Sequence, residues 1–158
     1  MFRLSDSMLR RAQAVAVRTR RRCLPLLSTG MIVGIGTDIV EVERIEREYH
    51  RLGADFSQSL FTPGEIAYCE GRRNRFESYA ARFAAKEAFL KALGTGGRDG
   101  ISWLDIEVIR DERGRPDLVL RGRAQELARE RGVERMYVSL SHSRQFATAV
   151  TVLEANGS

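Results

Sequence analysis

The 158-residue sequence predicts an α+β fold, a mainly antiparallel sheet packed against one long central helix. Three observations carry that expectation. Residues 76–96, FESYAARFAAKEAFLKALGTG, read as a single alanine-rich helix closed by Gly94, with Phe76, Ala80, Phe83 and Leu90 at the three-to-four spacing of a buried stripe. Strand-like runs come in two close pairs, 103–109 with 117–120 and 136–140 with 146–153. Finally, the order strand, helices, strand, strand, helix, strand, strand argues for antiparallel pairing.

Length and composition bound the rest. One domain of this size buries a core without disulfides. The two cysteines, Cys23 and Cys69, have neither framework nor metal-ligand spacing, so a reduced, cytoplasmic setting is the expectation. No apolar run approaches the length of a membrane span. The net charge of +5 is unevenly placed. Residues 1–30 hold seven arginines and one acid, Asp6, which leaves residues 31–158 at a net −1. A near-neutral body gives no case for nucleic-acid binding. Residues 1–30 are therefore read as an arginine-rich extension, expected to be disordered or weakly helical. They lack the apolar core of a signal peptide, and a targeting or docking arm is the alternative. The folded domain is expected over 31–158, with Met31 itself an initiator candidate.

Each element has its own signal. MIVGIGTDIV (31–40) is an apolar run with two glycines, read as a buried strand entering a turn. Val42, Ile45, Tyr49 and Leu52 then form a helical stripe that Gly53 stops, and Asp38 and Glu41 have the spacing of a capping box before it. Thr62, Pro63 and Glu65 make a second capping signature, for a short helix ended by Gly71. The polar link 72–74 leads into the long helix, which breaks at Gly94, Gly96 and Gly97. Gly114 and Pro116 turn the first strand pair. Residues 122–132 are an amphipathic helix with Leu127 and Ala128 inward, and SHSRQ joins the last two strands.

Four residues stand out chemically. Asp38, at a strand-to-helix turn, suits either an N-cap or an oxygen ligand for a hard cation. Glu87 interrupts an apolar stripe, where a carboxylate is costly unless a cation meets it. That cation is either Lys91, four residues on, or a metal. Magnesium takes one or two protein carboxylates and completes its shell with water and substrate phosphates, so Asp38 and Glu87 would suffice. Lys91 is then either half of an intrahelical pair or a point charge for phosphate. Arg82 and Lys86 add charge on a neighbouring face, and Lys86 is read as solvated. His142 ends a strand between Ser141 and Ser143, without the elbow of a serine nucleophile. GIG at 34–36 is too short for a dinucleotide fingerprint.

These same residues carry a family resemblance. GIGTDIVEVERI (34–45), LFTPGE (60–65), RFAAKEAFLKALGTG (82–96) and SLSH (139–142), in this order across 31–153, resemble the holo-acyl-carrier-protein synthase family, the small bacterial class of 4′-phosphopantetheinyl transferases. The resemblance implies that family's fold. It also implies transfer of 4′-phosphopantetheine from coenzyme A to a serine of apo acyl carrier protein, in fatty acid biosynthesis. By the same resemblance Asp38 and Glu87 hold magnesium and Lys91 contacts phosphate. Ser141 and His142 line the coenzyme A site, and Arg82, Gly94 and Gly96 flank its nucleotide. Arg44 lies on the face that meets the acidic carrier protein, with Arg47 and Arg51 either joining it or forming a solvated face. Relatives of this class are trimers with active sites between subunits, so a homotrimer is expected. Phe89, bulky in an alanine-rich helix, departs from the family and is expected to alter local packing. A non-catalytic binder of coenzyme A or carrier protein is the competing reading. Loss of Asp38, Glu87 or Lys91 would favour it, and all three are present.

Overall fold

The structure, a computed structural model, describes residues 30–95 and 99–157. Expectations for the arginine-rich segment, for Cys23 and for Gly96 and Gly97 fall outside those residues.

Strand β1 (Gly30–Glu41) leads into helix α1 (Val42–Leu52), then α2 (Ala54–Leu60), α3 (Pro63–Glu70) and the central helix α4 (Arg75–Leu93). A 3-10 turn (Trp103–Asp105) precedes β2 (Ile106–Arg110) and β3 (Pro116–Leu120). Helix α5 (Gly122–Glu130) and the hairpin of β4 (Arg135–His142) and β5 (Phe146–Asn156) complete the described chain. The strands form a three-stranded sheet ordered β1-β5-β4 and a two-stranded sheet β2-β3. Every pairing described is antiparallel. The predicted α+β class holds.

Helix α4 is the axis of the core. Its small residues Ala80, Ala84, Ala85 and Ala88 are buried, as are Tyr79, Phe89 and Leu93, so it is enclosed on nearly all sides and not along one stripe. Phe89 is accommodated wholly within the core. The least covered line down the helix is Phe83, Glu87 and Lys91. Gly94 closes the helix in the left-handed region at φ 73°, the conformation that glycine adopts without steric cost.

The GIG segment has a packing role. A Cβ on Gly34 would lie 2.1 Å from the carbonyl oxygen of Ala92, and one on Gly36 2.0 Å from that of Ala88. The two glycines let the β1 backbone lie directly against the α4 backbone. This close approach aligns the strand carrying Asp38 with the helix carrying Glu87.

Several expectations change. Strand β1 is at the edge of the sheet, with Met31, Ile32, Ile35 and Ile39 exposed, so it is not a buried strand. No capping box forms at Asp38, because β1 runs through Glu41 and α1 opens at Val42 with no side-chain cap. Residues 103–105 form the 3-10 turn and not the start of a strand. Helix α2 was not anticipated, since its seven residues show too little periodicity to register.

The expected Thr62–Glu65 capping box is present, and it is linked to a buried ion pair. Lys86, expected on a solvated face, is fully enclosed and lies 2.8 Å from Glu65. Its ammonium also donates to the carbonyls of Leu60 (2.7 Å) and Trp103 (3.0 Å). Glu65 in turn accepts from the backbone amides of Thr62 and Val108. Burial pushes the Lys86 pKa down, against the opposing pull of Glu65. The pair stitches α3, α4, β2 and the end of α2 around one point. Removing one member of such a pair typically costs about 3–5 kcal/mol, because the other charge is left buried and unpaired.

Candidate active site

Asp38 occupies β1 directly opposite Ala149 of β5. Its backbone carbonyl accepts from Thr148 Oγ1 at 2.8 Å, and the neighbouring Thr37 hydroxyl donates to the Ala149 carbonyl at 3.0 Å. These crosslinks hold the aspartate in register. Lys91 reaches across from α4 to place Nζ 2.7 Å from Asp38 Oδ1 and 3.2 Å from the Thr37 carbonyl. Lys91 therefore pairs across the strand–helix interface and not with Glu87 along its own helix. That bond raises the Lys91 pKa. The Asp38 side chain is 15% exposed and that of Lys91 50%, so the pair opens to solvent on the lysine side.

Glu87 completes the cluster. Burial first, and then the Asp38 charge, push its carboxyl above the usual glutamate range, and Lys91 and Arg44 oppose the shift. A carboxylate whose ionisation a second carboxylate disfavours is a setting that a cation relieves. No group of three or more His, Cys, Asp or Glu side chains suited to a metal occurs among the described residues. Magnesium, however, needs only one or two carboxylates where substrate phosphates supply the remaining oxygens. Asp38 and Glu87 are the side chains that could hold such an ion.

A second feature lies at the other half of α4. A cleft of about 390 Å³ is lined by Tyr68, Arg72, Arg82, Arg110, Ser141 and His142, among others. Arg82 is 2% exposed, its guanidinium 3.9 Å from the centre of the Tyr68 ring, and its Nε is buried with no partner. No carboxylate lines this cleft among the described residues. Its chemistry is that of an anion receptor.

The sequence-predicted residues thus fall into two groups. Asp38, Glu87 and Lys91 come together; Arg82, Ser141 and His142 share the arginine cleft. Gly94 lies exposed at the end of α4, and Gly96 is outside the described residues. Sequence reasoning missed Tyr68, Arg72 and Arg110. Arg72 lies in what reads as a plain polar link, and neither of the others interrupts a pattern. Arg44 lines a separate hollow of about 400 Å³ with Ile45, Glu48, Phe56, Leu60, Phe83 and Trp103.

A strand-borne aspartate beside a helix-borne glutamate, with an arginine cleft on the same α+β frame, suits an enzyme that handles phosphate groups. The family model for the 4′-phosphopantetheinyl transferase superfamily matches residues 34–151, and the chain belongs to that superfamily. Within it, the chain falls with the holo-[acyl-carrier-protein] synthases. It is 48% identical over 124 residues to holo-[acyl-carrier-protein] synthase of Koribacter versatilis, an alignment covering 78% of this chain and 99% of that one. The crystal structure of the Neisseria meningitidis synthase superposes with a TM-score of 0.71 at 37% identity, covering 78% of this chain and 98% of that one. The Bacillus anthracis synthase, solved in complex with CoA (3′,5′-ADP), gives 0.66 at 40% identity over 80% of this chain and 99% of its own. The protein is accordingly an enzyme of the phosphopantetheinyl transferase class.

Proposed function

We propose that this chain moves 4′-phosphopantetheine from coenzyme A to a serine of apo acyl carrier protein in a magnesium-dependent reaction of fatty acid biosynthesis. The observation that carries the reading is the convergence of Asp38, Glu87 and Lys91 from two elements onto one solvent-facing point. The arginine cleft on the same helix suits the nucleotide end of the donor, with Ser141 and His142 at its wall.

The chemistry is a displacement at phosphorus. The serine oxygen forms a bond to the phosphorus nearer the pantetheine. The bond from that phosphorus to the bridging oxygen breaks, and the electron pair leaves on adenosine 3′,5′-bisphosphate. Such reactions ask a protein chiefly to position groups and stabilise charge. Asp38 and Glu87 would hold the magnesium ion, which when bound neutralises charge across the pyrophosphate. Lys91, half exposed, would turn its ammonium to the phosphate oxygens and stabilise charge as it develops. The serine proton goes to Glu87 or to a water beside it.

Two surfaces support the partners. Arg44 beside the apolar hollow of Ile45, Phe56 and Phe83 offers an acidic carrier protein both charge and a seat for an apolar side chain. The outer side of the sheet exposes Ile35 (64%), Ile39 (67%) and Tyr137 (52%), an apolar surface that suits self-association into the trimer. Chromatographic detection of adenosine 3′,5′-bisphosphate tests the reaction. Its release should require coenzyme A, apo acyl carrier protein and divalent cation together. Release without carrier protein would replace the transferase reading with simple hydrolysis.

A further inference from the structure

Helix α1 is held to the core unevenly. Its buried residues, Val42 and Ile45, both lie at its start. Arg47, Glu48 and Arg51 follow on its far half, where Tyr49 is the residue packed against the core. The Tyr49 ring meets those of Phe56 (6.4 Å between centres), Phe76 (5.5 Å) and Tyr79 (5.8 Å). Its hydroxyl donates to Glu70 Oε1 at 3.0 Å, and Glu70 is the last residue of α3.

Glu70 is the knot of this contact. Tyr79 of α4, itself wholly buried, donates to the same oxygen at 2.9 Å, and Arg75 at the start of α4 donates to Oε2 at 3.1 Å. The Arg75 guanidinium also lies 5.1 Å from the centre of the Tyr49 ring. Burial alone would raise the Glu70 pKa, but the bonds from Tyr79 and Tyr49 and the charge of Arg75 outweigh it and hold the carboxyl below its usual range. Bonds to an ionised acceptor are stronger than neutral ones. Helices α1, α3 and α4 therefore meet at one carboxylate, which belongs to neither the Asp38–Glu87 cluster nor the lining of the arginine cleft.

We propose that Glu70 is a positioning residue for carrier recognition. Through Tyr49 it fixes the far half of α1, and with it Glu48 at the wall of the hollow that Arg44 also lines. This rests on the reading that an acidic carrier protein meets α1 and seats an apolar side chain in that hollow. The hollow takes such a side chain only while its walls keep their spacing. A helix half free to swing lowers the fraction of enzyme competent to bind, and weakens the apparent affinity in proportion. Glu70 touches no reacting atom, so its effect belongs in carrier binding and not in the chemical step.

The test measures KM for apo acyl carrier protein and for coenzyme A in the full chain, Tyr49→Phe, Glu70→Leu and the double variant, well below every melting transition. Tyr49→Phe removes one hydroxyl and keeps the ring. It should raise the carrier KM about fivefold and leave kcat and the coenzyme A KM within about twofold. Glu70→Leu should raise the carrier KM at least as much. The double variant should be no worse than Glu70→Leu alone, because the two residues act through one bond. Calorimetric binding of apo carrier protein should weaken in parallel with its KM. The inference is overturned if Tyr49→Phe leaves the carrier KM unchanged, if it raises both KM values equally, or if the double variant shows the product of the single effects. Absence of both transfer and carrier binding in the unmodified chain would instead defeat the reading of the carrier face, and this inference with it.

Discussion

Glu87 is a carboxylate that the fold holds in a costly place. Burial and Asp38 both disfavour its charged form, so its folded pKa lies above the ordinary glutamate value of about 4.3. The sign of the consequence follows from proton counting. As pH rises past that ordinary value the unfolded chain gives up its proton first, while folded Glu87 retains its own. Stability therefore falls across the window up to the raised folded pKa and stays lower above it. Glu87→Gln removes that loss. In chelator and without substrate, the variant should melt above the parent protein at neutral pH, and the difference should vanish near pH ~4. Thermal melts across that range measure it; an unchanged or lower melting temperature at neutral pH would contradict the electrostatic account. From the sequence, Glu87 could be singled out because a carboxylate broke an apolar run. The neighbouring Lys86 was misread because helical periodicity does not say which faces are covered when the whole helix is buried. Only its distant partner, Glu65, explains its burial, and that pairing spans 21 positions of chain.

At the scale of elements, the account depends on how closely β1 lies on α4. A methyl group at Gly36 would meet backbone, which cannot rotate away as a side chain can. Gly36→Ala should therefore destabilise the fold by about 3 kcal/mol, the upper range for overpacking, readable as a lowered urea midpoint. It should also weaken transfer, since Asp38 would move relative to Glu87. A midpoint within error of the parent would show that the strand is free to shift. Helices α1, α3, α4 and α5 and the final hairpin were legible in sequence because the Thr62 cap, the glycine stops and the strand-like runs are local signals. The edge position of β1 was not, because an apolar strand looks alike whether both its faces are covered or one is exposed. Helix α2, too short for a pattern, depends on tertiary packing of Phe56.

For the whole molecule, the exposed apolar outer face of the sheet is the feature that a lone chain leaves unexplained. Ile35 and Ile39 stand on the edge strand that also bears Asp38, so association there would bring a second chain near the carboxylates. Ile35→Glu together with Ile39→Glu should shift the protein toward monomer in sedimentation velocity and lower transfer activity at least about tenfold. A fully active monomer would separate catalysis from assembly. The candidate site was only half legible at this scale. The motif residues appeared in sequence, but their division into a carboxylate cluster and an arginine cleft requires the fold.

The most direct test of the central claim is the intact mass of apo acyl carrier protein after incubation with this enzyme, coenzyme A and magnesium. The account predicts a gain of one phosphopantetheine per carrier, absent with chelator. Glu87→Gln should slow it by about two to three orders of magnitude while remaining folded. A carrier modified as fast by Glu87→Gln as by the parent enzyme would contradict the assignment of the carboxylate cluster. A carrier left unmodified by the parent enzyme would contradict the transfer itself.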